Sequence, residues 1–379
     1  GGGNVTFDNV VVRRAATFGI YVRESGTVSL TDTISSDNGN IGLLIDETDQ
    51  VIDTNGKYNF NSNGGINLID IAGDVTLTRT ILNNNDANDD DFGSGILAEK
   101  SSLPNAIGGN LTLNAVRMGD TDGANNAYHQ EYGLYIEDGI SGNVIIQSHD
   151  DGNDVIDSNG VGHDVSGIHL RYVDGDIDIL GGTYTLNEDS GIFIQNGDGF
   201  VTIDGVEAQG NVQGAYIRNT DGLITNSNFQ YNEYGVRLRA NTEVSILDNE
   251  IIENQIGIHV LNSRALIEGN DLSDNSSVGL VIDGDATVDA GDTEDDNVTG
   301  LGTGSMPNGS SAGQNTFFGY DGLSNLAINN LNEDVDDDID VLAEMNTFDY
   351  VAYDFIESVV NHDEDDSGLT YVYFGFTIP

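Results

Sequence analysis

A glycine followed by an apolar-x-apolar triplet recurs along this chain at Gly19, Gly42, Gly65, Gly95, Gly133, Gly167, Gly191, Gly214, Gly235, Gly257 and Gly279. The steps between them are 23, 23, 30, 38, 34, 24, 23, 21, 22 and 22 residues. The first and third residues after each glycine are Ala, Val, Ile or Leu throughout, from Ile20/Val22 to Leu280/Ile282. Side chains alternate faces along a strand, so a strand this short has one apolar face and no core of its own. It has to stack on the equivalent strand of the next repeat. The repeat, rather than the 379-residue length, therefore governs how the chain is organised.

A second short strand follows the first, as in Asp74-Val75-Thr76-Leu77, Asn143-Val144-Ile145-Ile146, Phe200-Val201-Thr202-Ile203 and Glu243-Val244-Ser245-Ile246. Asn recurs three or four residues before many of the glycines, at Asn38, Asn61, Asn187, Asn211, Asn232, Asn254 and Asn275. Glycine is expected to supply turn conformations that β-branched residues resist, and the Asn to bond turn backbone as an internal ladder. These motifs resemble the right-handed parallel β-helix repeat proteins, a superfamily spanning pectate lyases, polygalacturonases, alginate epimerases, phage tailspikes and large bacterial surface proteins. The resemblance covers residues 1–290 and implies an all-β, right-handed parallel β-helix of about eleven coils. Residues 291–379 are expected to form a loop-rich cap over exposed sheet edges, with a short helix around Tyr350 to Val360. From Asn346 to Tyr373 the cap resembles the closing segment of large secreted bacterial β-helix proteins.

Charge limits the partners. Acidic residues number 64 against 12 Lys plus Arg, a net charge of -52. Such a surface repels nucleic acid and anionic membranes, and equally polyanionic glycans, so no nucleic-acid partner is expected. Self-repulsion of this size is tolerable where salt screens it or divalent cations bridge it. An extracellular or cell-surface setting, bacterial or archaeal and saline, follows as the expectation. No apolar run reaches the roughly 18 residues that span a bilayer, so direct membrane insertion is not expected. Cysteine is absent, which excludes disulfides and thiol nucleophiles.

Positions two and four after each glycine point outward and stack into a stripe. It carries Tyr21, Arg23, Tyr135, Glu137, His169, Arg171, Phe193, Gln195, Tyr216, Arg218, Arg237, Arg239 and His259. Five of the twelve basic residues lie on these 22 positions, a local enrichment against the acidic background. Aromatic faces stack on sugar rings or a partner protein, and Arg and His give directional hydrogen bonds. Tyr135, His169, Arg171, Phe193, Tyr216, Arg218, Arg237, Arg239 and His259 are therefore the candidate binding residues for a glycan or surface protein. The three longest repeats are consecutive, and their loops should project beside Tyr135 and His169. Asp89, Asp90, Asp91, Asp150, Asp151 and Asp154 in those loops can offer the oxygen-only shell calcium prefers, although no EF-hand spacing is present.

Asn219-Thr220-Asp221 resembles the Asn-Thr-Asp motif of polygalacturonases, in which the Asp belongs to a catalytic carboxylate cluster. That family's Gly-His-Gly and Arg-x-Lys motifs are missing, and Gly257-Ile258-His259 is a partial echo. Pectate-lyase-like elimination needs a basic residue and a cation to neutralise the uronate; Arg218, Arg237 or Arg239 can be offered, outside any recognisable lyase motif. With no catalytic residue assigned, the leading expectation is a non-enzymatic structural or adhesive surface protein, able to associate end to end. The alternative is a polysaccharide lyase, epimerase or glycoside hydrolase.

Overall fold

The structure is a computed structural model that describes residues 2–85, 93–119, 130–148, 159–161, 165–291, 311, 313–321, 324–331, 341–342, 346–348 and 360–361. The chain divides into two compact units, Gly1–Thr202 and Ile203–Pro379. In the first unit the glycine-led strands stack in parallel, from Ile20–Arg23 and Ile41–Asp46 through Gly64–Ile69, Ser94–Glu99, Tyr132–Ile136 and Ser166–Arg171 to Ser190–Gln195. Their register places Leu43, Ile66, Ile96, Leu134, Ile168 and Ile192 in one column, each fully or almost fully buried. Second strands do the same, setting Val28, Val51, Val75, Leu111, Val144 and Ile177 one above another.

The second unit repeats the plan with Gln213–Arg218, Tyr234–Arg239, Ile256–Leu261 and Val278–Asp283. Ile217, Leu238, Val260 and Ile282 form an inward column in which every side chain is 0% exposed. That column is the one their shared place in the repeat predicts. Each buried side chain of this kind contributes about 1.5–3 kcal/mol relative to leaving it exposed.

Many coils also have a third strand of two or three residues, such as Thr183–Thr185, Asn228–Gln230 and Glu250–Ile252. Each turns one large residue inward: Tyr184, Phe229 or Ile251. A single inward residue has no period, which is why the sequence pattern does not reveal these strands.

The expected amide ladder is present. In the first unit the Asn38 Nδ2 donates to Asn61 Oδ1 at 2.9 Å, and Asn61 to Asn85 at 3.0 Å. In the second, Asn211, Asn232, Asn254 and Asn275 are linked in the same way at 3.0 to 3.2 Å. A second ladder, absent from the sequence reading, joins Asn249, Asn270, Asn315 and Asn346 at 2.9 to 3.0 Å. Each acceptor oxygen also takes a backbone N–H, as Asn254 Oδ1 takes that of Asn232 at 2.9 Å.

The role expected of the leading glycines needs correction. Positive φ falls instead on corner residues such as Glu24, Glu47 and Asp70, at 53°, 52° and 51°. Glycine is required by closeness: a Cβ on Gly42 would lie 2.5 Å from the Asn61 amide nitrogen and 2.8 Å from the Gly65 carbonyl. The glycine and the Asn are thus two halves of one contact.

Two carboxylates are held by neutral groups. Asp53 lies fully buried in a column between Leu30 and Leu77, accepting from the Tyr58 hydroxyl at 2.8 Å and the Thr80 hydroxyl at 2.6 Å. Burial raises its pKa, against the pull of those bonds. Asp70 accepts from the backbone and hydroxyl of Ser101 and Ser102 and from the Leu103 N–H, which together hold its carboxyl well below the usual range despite the opposing effect of burial.

Beyond residue 290, Leu326–Leu331 pairs with Val278–Asp283, and Val360–Asn361 pairs with Ile328 and Asn329. Most of the helix expected around Tyr350 to Val360 lies outside the described residues. Its last residue, Val360, is in a strand.

Candidate functional site

The outward stripe is real in parity, and it is more tightly packed than expected. In the first unit Tyr135, His169 and Phe193 occupy the same rung of consecutive strands. Strands stacked this closely press large outward side chains against one another. The Tyr135 and His169 rings lie 5.1 Å apart between centroids, and His169 and Phe193 lie 4.4 Å apart. Tyr132 joins them, stacked on Tyr135 at 4.5 Å with 24° between planes. All four rings are half-buried.

Arg171 Nη1 donates to the Tyr135 hydroxyl at 3.1 Å. Among the described residues neither ring nitrogen of His169 has a hydrogen-bond partner. Burial, with the nearby Arg171 charge, lowers its pKa to about 4, so the imidazole is neutral through the neutral pH range. Burial and the Glu131 carboxylate push the Tyr132 phenol up to about 12. The patch is therefore a cluster of stacked and tilted aromatic rings around a neutral imidazole whose two buried nitrogens carry no hydrogen bond among the described residues.

At the start of the first unit the stripe is different. Tyr21 is exposed, and Arg23 is tied to Asp46 at 3.2 Å and Glu47 at 3.1 Å.

In the second unit Tyr216, Arg237 and His259 share a rung, as do Arg218 and Arg239. The Arg237 guanidinium lies over Tyr234 at 4.8 Å and over Tyr216 at 5.5 Å from the ring centroids. His259 is stacked against Tyr234 at 5.7 Å. Tyr216 and His259 are both only 8% exposed, which corrects the expectation that they project freely. The His259 Nε2 lies 3.6 Å from an Asp283 oxygen, too far for a hydrogen bond. Burial and Arg237 lower its pKa, against the pull of Asp283.

Asn219-Thr220-Asp221 forms a corner: Asn219 has φ of 52°, and Asp221 accepts the backbone N–H of Glu243 from the next coil at 2.8 Å. This carboxylate has a turn to hold. Asp89, Asp90, Asp91, Asp150, Asp151 and Asp154, the candidate calcium ligands, lie outside the described residues.

Sequence reasoning missed Tyr132 and Tyr234. Each directly precedes a repeat glycine, where strict alternation would not place it on the stripe. The available signal is that both are aromatic at the same offset from a glycine that breaks the alternation.

Residues 190–319 match the family model described as "Right handed beta helix region". The chain has the fold of the right-handed parallel β-helix proteins, as its repeat implies. No curated protein matches it. Among solved structures it is similar to the A-module of mannuronan C-5 epimerase AlgE6 from Azotobacter vinelandii, with 13% identity, 100% of this chain and 92% of that one covered, and a TM-score of 0.47. The AlgE4 A-module from the same organism matches at 13% identity over 96% of this chain and 90% of that one, with a TM-score of 0.45. The periplasmic alginate epimerase AlgG matches at 12% identity over 92% and 77%, with a TM-score of 0.30.

The expectation of a non-enzymatic structural or adhesive protein is corrected to this extent: it finds no counterpart among these matches, all of which are named as epimerases. At such identity the likeness is one of fold, so the chemistry of this chain has to be argued from its own side chains.

Proposed function

We propose that this chain is a polysaccharide-active enzyme of the lyase, epimerase or glycoside-hydrolase kind, working outside the cytoplasm, with its reacting centre on the first unit's aromatic patch. The observation that carries the reading is His169, a neutral imidazole with no partner for either nitrogen among the described residues, set among Tyr132, Tyr135 and Phe193. Aromatic rings hold a sugar ring by its apolar face, and an unpartnered imidazole beside it is in the accepting state for proton transfer. Negative charge developing on a bound substrate would raise its affinity for the proton. Arg171, already bonded to Tyr135, positions that phenol.

The test is a screen of neutral and uronic-acid polysaccharides, following reducing ends, unsaturated products and sugar configuration. Turnover is expected, with kcat/KM falling on the acid side around the low His169 pKa, about 4, rather than at about 6.5. His169→Gln should lower the rate by about 100-fold or more without loss of fold. Absence of turnover on every polysaccharide, or an unchanged rate in the variant, would end this reading.

A further inference from the structure

The second unit has a cluster the proposed chemistry does not use. Arg218 and Arg239 are paired in register on adjacent strands and exposed, with Arg237 on the neighbouring outward rung. Among the described residues none of these three guanidiniums makes an ion pair, although the chain holds 64 carboxylates. Other arginines do find acids, as Arg23 does with Asp46 and Glu47, and Arg264 with Glu243 at 3.1 Å. Arg237 is instead held between two tyrosine rings, and its buried Nε has no hydrogen-bond partner. His259, nine-tenths buried beside Arg237 on the next strand, also has both ring nitrogens without a hydrogen bond.

Among the described residues these three guanidiniums have no acid partner, and the acid nearest the imidazole, Asp283, stands 3.6 Å from its Nε2, so donors are gathered on one small area with little acceptor supplied by the fold. Buried donors without an acceptor are unfavourable, so an arrangement of this kind is completed by a ligand that brings oxygens. Guanidinium is the side chain best matched to planar or tetrahedral oxyanions, and the tyrosine rings hold Arg237 in place before the ligand arrives. Charge limits the ligand further. Screening reaches about 8 Å at physiological salt, so a single oxyanion at the cluster meets mainly the guanidiniums, whereas a polyanion extending past it meets the net -52 of the chain.

We propose that Arg218, Arg237, Arg239 and His259 form an oxyanion-recognition site that takes one carboxylate or sulfate group carried on an otherwise neutral saccharide. The saccharide body rests on the glycan-active reading of the protein; the oxyanion site does not.

The experiment is calorimetric titration of the full chain with four probes: a neutral disaccharide, the same disaccharide bearing one carboxylate, the same bearing one sulfate, and inorganic sulfate. At least one singly charged form should bind about tenfold tighter than the neutral parent, and the tighter of the two identifies the group. In the Arg218→Ala/Arg239→Ala double variant that preference should shrink to about twofold or less, at unchanged melting temperature because both side chains are exposed. Equal binding of charged and neutral forms, or a preference that survives the double variant, overturns the site and leaves the glycan reading standing. Inorganic sulfate that binds only the unsubstituted protein, with no saccharide bound better, supports the oxyanion site and removes its saccharide. No binding of any probe at about 10 mM overturns both.

Discussion

Each unit places a histidine at the second position after a repeat glycine, His169 in the first and His259 in the second, and their neighbours differ. His169 lies among three aromatic rings, and the one guanidinium near it is bonded to a phenol. His259 has one aromatic neighbour, an acid just beyond bonding distance, and arginines that no acid claims. Both histidines lie on strands paired in parallel on either side, and the difference lies in which residues the neighbouring strands set beside them. A stacked fold lets the outer positions of its coils carry a stacking surface in one unit and a charged one in the other without altering the core.

The sharpest way to break this comparison is to remove the support of one patch. Leu238 is fully buried between the outward positions of Arg237 and Arg239. Leu238→Asp should destabilise the second unit by several kcal/mol, because an unpaired charge enters a packed interior. Chemical denaturation measures it, and oxyanion binding should vanish along with the fold.

A smaller effect separates the two aromatic anchors. Tyr216 is nearly buried beneath Arg237, whereas Phe193 is half-buried. Tyr216→Ala should cost about 3 kcal/mol and Phe193→Ala about 1–2 kcal/mol by the same method. Equal costs would mean that the two patches are packed alike.

The interior supplies the control. Asn61→Ala and Asn232→Ala each leave a buried ladder acceptor short of a donor and should cost about 2 kcal/mol. Similar values in the two units would locate their difference on the outer face; unlike values would place it in the core as well.

The smallest effect is set by pH. The His169 pKa in the folded chain, about 4, lies below the unfolded value of about 6.5. Between those values the unfolded chain binds a proton that the native ring refuses, so this group's contribution falls as pH drops from about 6.5 to about 4 and is constant outside that window. Stability of His169→Gln, compared with the parent from pH 7 to pH 4, should lack a slope worth about 1–3 kcal/mol. Asp70 slopes the same way in a more acid window: its depressed pKa favours the fold above its unfolded value, and that contribution is lost as pH falls below that value.

The repeat made the glycine-led and second strands legible because each carries two inward apolar residues at a fixed spacing, as Ile217 and Ala215 or Val75 and Leu77 do. The Asn ladder was legible for the same reason. Third strands such as Asn228–Gln230 were hidden because Phe229 alone turns inward. Parity located the face, but parity does not measure depth. Tyr216 and His259 point outward and are still buried, since neighbouring rungs hold large side chains close enough to cover them. The reason for the glycines was misread because a sequence shows that a side chain is missing without showing which atom fills its place.

A stack of similar coils has a hazard that ordinary domains escape: it can assemble one whole turn out of step and still match apolar column to apolar column. Asp53 marks one turn against that error. Gly56 leaves room for its carboxylate, where a Cβ would come within 2.2 Å of an Asp53 oxygen, and the next coil provides the Thr80 hydroxyl. One turn further along, the rung of Thr80 is occupied by Val116, which has no donor to offer. A slip by one coil would bury the carboxylate short of a hydrogen bond, at a cost of about 1–3 kcal/mol. In a chain built from near copies, this acid among leucines gives one coil a fixed address.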